Sequence, residues 1–170
     1  MRLGLFSKPE VLLAVPFFKQ DRNFTCGPTA VQMACAFWGA RLSESKLAKL
    51  AHSSPLGTSH GGLLQSVLDA RLYCYLNADT SIEEIKYLLR SGWPVIVNYT
   101  EPSTNDGHYA VAIGFSDRSI ILNDPWNGPN FKLPWPEFER RWYDHGLHRS
   151  SRWLLAVADQ PFTLGRTYAP

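Results

Sequence analysis

Cys26 is followed by Gly27 and Pro28 at the point where an apolar helical pattern begins. Proline is favoured in the first turn of a helix, because its missing N–H would have been unpaired there. A thiol at that position faces the positive end of the helix dipole, which stabilises thiolate and lowers the pKa. Free cysteine is more often a small buried residue. Cys35, on the apolar stripe of the same helix, and Cys74, in the extended run 72–76, fit that ordinary role. A nucleophilic thiol also needs an imidazole that shares its proton and then donates it. Among five histidines, His108 opens the run Tyr109-Ala110-Val111-Ala112-Ile113-Gly114-Phe115 and so stands at the rigid end of a strand. Asp124 ends the next strand, in Ile121-Leu122-Asn123-Asp124-Pro125, where its carboxylate can fix the imidazole tautomer. Asp-Pro also ends strands in ordinary turns, so that simpler role stands beside the chemical one. Cys26, His108 and Asp124 are of the types that cleave amides through an acyl-enzyme.

The elements that must position these groups follow from periodicity. Val31, Ala34, Cys35 and Trp38 predict a central helix over 28–38, stopped by Gly39. Ser43 caps a second helix and Thr58 or Ser59 a third, while Thr80-Ser81-Ile82-Glu83 reads as the capping box of a fourth that stops at Gly92. After Trp93 the character turns β, with runs at 95–99, 109–115, 119–123 and 153–157, and Pro136 opens a short helix between the last two. Val15-Pro16-Phe17-Phe18 reads as an edge strand, where proline is tolerated, and the tail after Asp159 as surface. The expected fold is α+β in a single domain spanning 1–170. A mainly helical N-terminal half (about 26–91) packs on an antiparallel β-sheet C-terminal half (about 93–158), with a cleft between them.

Strand geometry sets a condition on the site. Alternation puts His108 with Ala110, Ala112 and Gly114 on a face of small residues suited to a closely docked helix, and Tyr109, Val111, Ile113 and Phe115 on the other. A two-residue loop of Asp117 and Arg118 places Asp124 on the face opposite His108. The pairing therefore demands either an odd-length loop, such as Ser116-Asp117-Arg118, or a bulge. The three-residue loop sets Ala110 against Asp124, Ala112 against Leu122 and Gly114 against Ile120.

Composition narrows the function. The net charge is +2 and only Arg140 and Arg141 are adjacent, so no nucleic-acid partner is expected. The apolar run 11–18 contains Pro16, ends at Lys19 and is too short to span a bilayer. It also lacks the small-residue cleavage site of a secretory signal, so the expected location is cytoplasmic with no membrane span. Three cysteines without a C-x-x-C do not suggest disulfides or structural zinc. His145-x-x-His148 lacks the companions that a metal site needs, so neither a metal nor an organic cofactor is expected.

Together, Val15-Pro16-Phe17-Phe18-Lys19-Gln20, five residues further Cys26-Gly27-Pro28-Thr29-Ala30, and downstream His108-Tyr109-Ala110-Val111 and Asn123-Asp124-Pro125 carry a resemblance. The chain resembles the double-glycine leader peptidases, the bacteriocin-processing branch of the papain-like cysteine peptidases. Gly57-Thr58-Ser59 is similar to the same stretch in stand-alone relatives, and no G-x-x-x-x-G-K-[ST] loop of an exporter is present. The resemblance, over roughly 15–157, implies a papain-like fold, a peptide or protein substrate, and no cofactor. It implies that Cys26, His108 and Asp124 are the catalytic triad and that Gln20 helps form the oxyanion hole. The residues themselves leave open a peptidase, an acyl or peptidyl transferase, and a catalytically silent peptide-binding module.

Overall fold

The runs that follow Trp93 have no polar face to offer to water, so helices must cover them from both sides. The computed structural model describes residues 7–146 and 149–170. In chain order its elements are β1 (Val11–Leu12), α1 (Cys26–Phe37), α2 (Glu44–Leu50), α3 (His60–Asp69), β2 (Tyr73–Asn77), α4 (Ile82–Arg90) and β3 (Val95–Thr100). There follow β4 (Gly107–Phe115), β5 (Ser119–Asp124), β6 (Gly128–Pro134), α5 (Trp135–Arg141), β7 (Tyr143–Asp144), β8 (Ser150–Ser151), β9 (Leu154–Ala158) and β10 (Thr167–Tyr168). The main sheet is antiparallel, in the order β10-β2-β9-β3-β4-β5-β6, with β1 added to β4 beyond the end of β3. The fold is α+β, as expected, with β2 contributed to the sheet from within the helical half.

Helices cover both faces. Val31 and Ala34 of α1, Leu47 of α2 and Leu63 of α3 pack over Val111 and Ile113 of β4. Ile85 and Leu88 of α4 and Phe138 of α5 pack over Ala110 and Ala112 on the other side. The expectation that the central helix docks on the small-residue face of β4 is therefore reversed. Ala30 and Ala34 supply the small partners on α1, and the large β4 side chains fill the space between.

Caps explain where the helices start. Ser43, Ser59 and Ser81 accept the backbone N–H groups of Lys46, Gly62 and Glu84. The fourth cap is Ser81, one residue later than the capping box suggested, and Thr80 instead donates its hydroxyl to the Glu84 carboxylate. Helix α1 differs from these three. Its N-cap, Thr25, makes no side-chain cap bond, and its first turn, like that of α3, holds no acidic residue.

Residues 15–18 are not a strand. Pro16 cannot donate to a ladder, and the edge pairing is made earlier by β1 at Val11 and Leu12. The following strap is held by Asn123, whose Nδ2 donates to the Val15 carbonyl at 2.9 Å. Besides β1 and the short β7–β8 pair, two strands of the main sheet escaped the sequence reading. One is β6, with prolines at 129 and 134 that only an edge strand tolerates. The other is β10, which pairs the tail with β2 while Phe162 packs inside. Among the described residues no helix is long and apolar enough to cross a membrane.

Candidate active site

The loop between β4 and β5 decides whether His108 and Asp124 can meet. Ser116 and Ser119 are joined by a backbone bond of 2.9 Å, so Asp117 and Arg118 form a two-residue loop. A bulge at Ile113 restores the parity: Ala112 faces Leu122 and Val111 faces Asn123, whereas Gly114 faces Ile121 instead of Ile120. The bulge also turns Phe115 onto the face of Ala110 and Ala112, correcting the strict alternation expected for it. Its neighbour is tightly held. A Cβ on Gly114 would lie 2.2 Å from the Val11 carbonyl of β1, so that crossing requires glycine.

With this register, His108 Nε2 lies 2.9 Å from Asp124 Oδ1. His108 is 7% exposed and Asp124 is fully buried. The bond at Nε2 leaves Nδ1 for Cys26, with which His108 shares a second hydrogen bond. Asp124 Oδ1 also accepts the backbone N–H groups of Trp126 and Asn127, at 2.9 and 2.8 Å, and Oδ2 accepts the Tyr99 hydroxyl at 2.5 Å. The carboxylate thus closes the turn after β5 and orients the imidazole at once; its two readings from sequence are compatible.

Charge follows from these bonds. Burial alone would raise the Asp124 pKa, but the bonds and charge from His108, Tyr99 and Asn127 outweigh it and hold the carboxyl below its usual value. Burial likewise opposes charging His108, yet Asp124 and Cys26 raise its pKa to about 10. Cys26 shows the complement. Burial pushes its thiol up, but His108 and the backbone N–H groups of Tyr109 and Gly27 bring it below the ordinary value. An uncapped helix N-terminus free of acidic side chains suits that charge. Burial instead raises the Cys35 thiol to about 12 and raises Cys74 as well.

Gln20 and Cys26 line one cavity of about 260 Å³, together with His108, Glu101 and Trp126. Gln20 Nε2 donates to the Arg22 carbonyl at 2.7 Å and the Gln20 N–H to the Pro125 carbonyl at 3.1 Å, which ties the strap to the turn after Asp124. Gln20 Oε1 is buried and has no partner among the described residues. A second cavity, of about 440 Å³, also opens on Cys26 and is lined by Phe24, Thr58, Asn98, Tyr109 and Asp144. Gly27, next to Cys26, is closely packed. A Cβ there would come 3.0 Å from Leu63 Cδ2 and 3.2 Å from Thr58 Cβ, so the glycine serves the packing of α1 on α3.

The model of the Peptidase C39 like family matches residues 12–147. The chain belongs to that family. Gln20, Cys26, His108 and Asp124 all fall inside the matched span of this C39-like chain. An uncharacterized protein of Methanothermobacter marburgensis is 30% identical over 110 residues, 65% of this chain and 71% of its own. Among solved structures, a double glycine motif protease from an AMS/PCAT transporter, in complex with the leader peptide, superimposes with a TM-score of 0.71 at 19% identity, covering 89% of this chain and 96% of that one. The peptidase domain of Streptococcus ComA, a bifunctional ABC transporter of a quorum-sensing pathway, gives 0.68 at 17% identity over 84% and 97%. At such identities these two likenesses show the fold of the C39-like chain.

Several residues around the site had no signal in the sequence. Tyr99 was simply one of the residues of a strand run. It stands opposite His108 in the β3–β4 register and meets Asp124 through its hydroxyl. Glu101 is 2% exposed, accepts from Ser103, Thr104 and Asn127, and is held at a pKa of about 2 because those bonds outweigh burial. His60 opens α3 and stacks on Trp153 with ring centroids 4.1 Å apart. For the His145-x-x-His148 pair, His148 lies outside the described residues. Among the described residues no group of three or more His, Cys, Asp or Glu side chains could hold a metal.

Proposed function

We propose that this chain is a cysteine peptidase that hydrolyses peptide bonds through a thioester acyl-enzyme. The observation that carries the reading is the chain of bonds from Asp124 Oδ1 through both nitrogens of His108 to a Cys26 with a lowered pKa at a helix mouth. The Cys26 thiolate attacks the carbonyl carbon, and the resulting oxyanion takes hydrogen bonds from Gln20 Nε2 and the Cys26 backbone N–H. One Nε2 proton is used on the Arg22 carbonyl, and the other is available to the cleft. His108 donates its proton to the amine as the C–N bond breaks, leaving a thioester. Water then gives a proton to His108, attacks the thioester carbon and frees the acid and the thiolate. Asp124 holds the ring with Nδ1 toward sulfur throughout. A peptide substrate fits both the two cavities meeting at Cys26 and the leader peptide bound to the transporter protease of the same fold. Three free thiols suit the reducing cytoplasm expected for it.

The test is incubation of the purified protein with a peptide library, with products read by mass spectrometry. Cleaved peptides should carry the mass of one added water, and Cys26→Ala should give none. Products that carry an added amine instead of water would assign a transferase. An intact library, together with Cys26 labelling no faster than Cys35, would leave a binding module.

A further inference from the structure

Among the described residues, the 440 Å³ cavity beside Cys26 is lined by acidic side chains and by no compensating cation. Asp144 and Asp106 line it, and among the described residues no Lys or Arg does. Asp144 is 3% exposed, and burying a carboxylate without a partner is costly. Its Oδ1 accepts the Gly146 N–H at 2.7 Å, but among the described residues nothing donates to Oδ2 and no basic side chain pairs with the group. The bare Cα of Gly107 lies against Oδ2, since a Cβ there would be 2.3 Å from it. A nearly buried carboxylate with an unpaired oxygen therefore borders a cavity that opens on the proposed nucleophile. Glu101, in the neighbouring cavity, shows the contrast: its oxygens are taken up by Ser103, Thr104 and Asn127.

We infer that Asp144 selects a basic side chain, Lys or Arg, in the part of the substrate that lies N-terminal to the bond cut. The side of the cleft follows from proton delivery. His108 and Gln20 line the smaller cavity, so the amine that His108 protonates leaves through that one, and the acyl part occupies the cavity of Asp144. An ammonium or guanidinium supplies the donor that Oδ2 lacks, and a charge-assisted bond in a desolvated pocket is among the stronger contacts available. Only this sidedness rests on the peptidase reading; the pocket and its preference do not.

The test separates binding from cleavage. The Cys26→Ala protein is offered arrayed octapeptides of Ala and Gly in which Lys, norleucine or Glu occupies one position at a time. One position should favour Lys over norleucine by about tenfold or more in affinity, since losing one partner of a buried charge pair costs at least that. Asp144→Asn, which keeps an acceptor for Gly146, should erase the preference, whereas the exposed Asp106→Asn should keep most of it. No position favouring Lys, a preference that survives Asp144→Asn, or one that follows Asp106 would each overturn the inference. Cleavage of the favoured Lys peptide by the wild-type chain should leave Lys in the N-terminal product, and its appearance in the C-terminal product would overturn the sidedness. If the peptide binds with the Asp144-dependent preference and is not cut, the pocket stands and the peptidase reading falls.

Discussion

Cys35 and Cys74 share the chemistry of Cys26 and none of its surroundings. Both are fully buried, Cys35 on α1 and Cys74 on β2, with thiols raised by burial, whereas Cys26 is partly exposed at a helix mouth beside an imidazole. Iodoacetamide should therefore label Cys26 much faster than either, as read by peptide mass spectrometry of the folded protein, and equal rates would remove the basis for its role. Cys35→Ala should instead cost about 0.5–3 kcal/mol in denaturant unfolding and leave kcat unchanged. Gln20→Ala should lower kcat by about a hundredfold or more, the usual effect of losing one oxyanion donor, while KM and Cys26 labelling persist. The pH profile tests Asp124. In the proposed mechanism the working pair is thiolate and imidazolium, and its apparent pKa values belong to the two groups together. Burial favours loss of the His108 proton, and the bond and charge of Asp124 oppose it. Asp124→Asn should thus move the alkaline limb of kcat/KM to lower pH by on the order of 1 unit or more. A limb that stays in place, or moves upward, would count against Asp124 as the orienting group.

At the scale of elements, β5 does more than deliver Asp124. Asn123, on the opposite face, donates to Val15 and accepts the Asn130 N–H at 3.3 Å, and Pro125 accepts from Gln20. One strand end therefore positions the carboxylate, the turn after it and the strap that carries Gln20. Asn123→Ala removes two of those ties without touching Cys26 or His108. It should cost about 1–3 kcal/mol of stability through the buried groups left unpaired and lower kcat several-fold because Gln20 is less firmly placed. Unfolding curves and steady-state kinetics check the two effects separately, and an unchanged kcat would show that the strap needs no such anchor. The bulge at Ile113 acts at the same scale. It reconciles a two-residue loop with a shared face for His108 and Asp124, and it brings Phe115 under α5, near Trp135.

Over the whole molecule, buried and half-buried carboxylates tie distant segments together. Asp124 joins β3, β4 and the turn after β5; Glu101 joins the β3–β4 loop to Asn127; Glu84 joins α4 to Tyr75 and Asn77 of β2. All three have pKa values below the ordinary ones of 3.8 for Asp and 4.5 for Glu, Glu101 at about 2. A depressed carboxylate contributes stability that is fully present above its unfolded value and lost as pH falls through the folded one. Stability by urea unfolding should therefore hold from pH 7 to about 5 and decline steadily toward pH 2, and a curve flat down to pH 2 would contradict these ties. The amino-acid sequence by itself determined the helices to within a residue or two of their starts, the apolar central strands and the choice of Cys26, His108 and Asp124 as candidates. Each of these rests on local rules: serine at a cap, proline in a first turn, alternation along a strand. It also stated the condition on the β4–β5 connection, without choosing between a longer loop and a bulge. That choice, the face on which α1 docks, the edge strands β6 and β10, and the places of Tyr99 and Asp144 were decided by tertiary structure. Their common cause is pairing between segments far apart in the chain, since register and the fit of small against large side chains are settled only where the two surfaces meet.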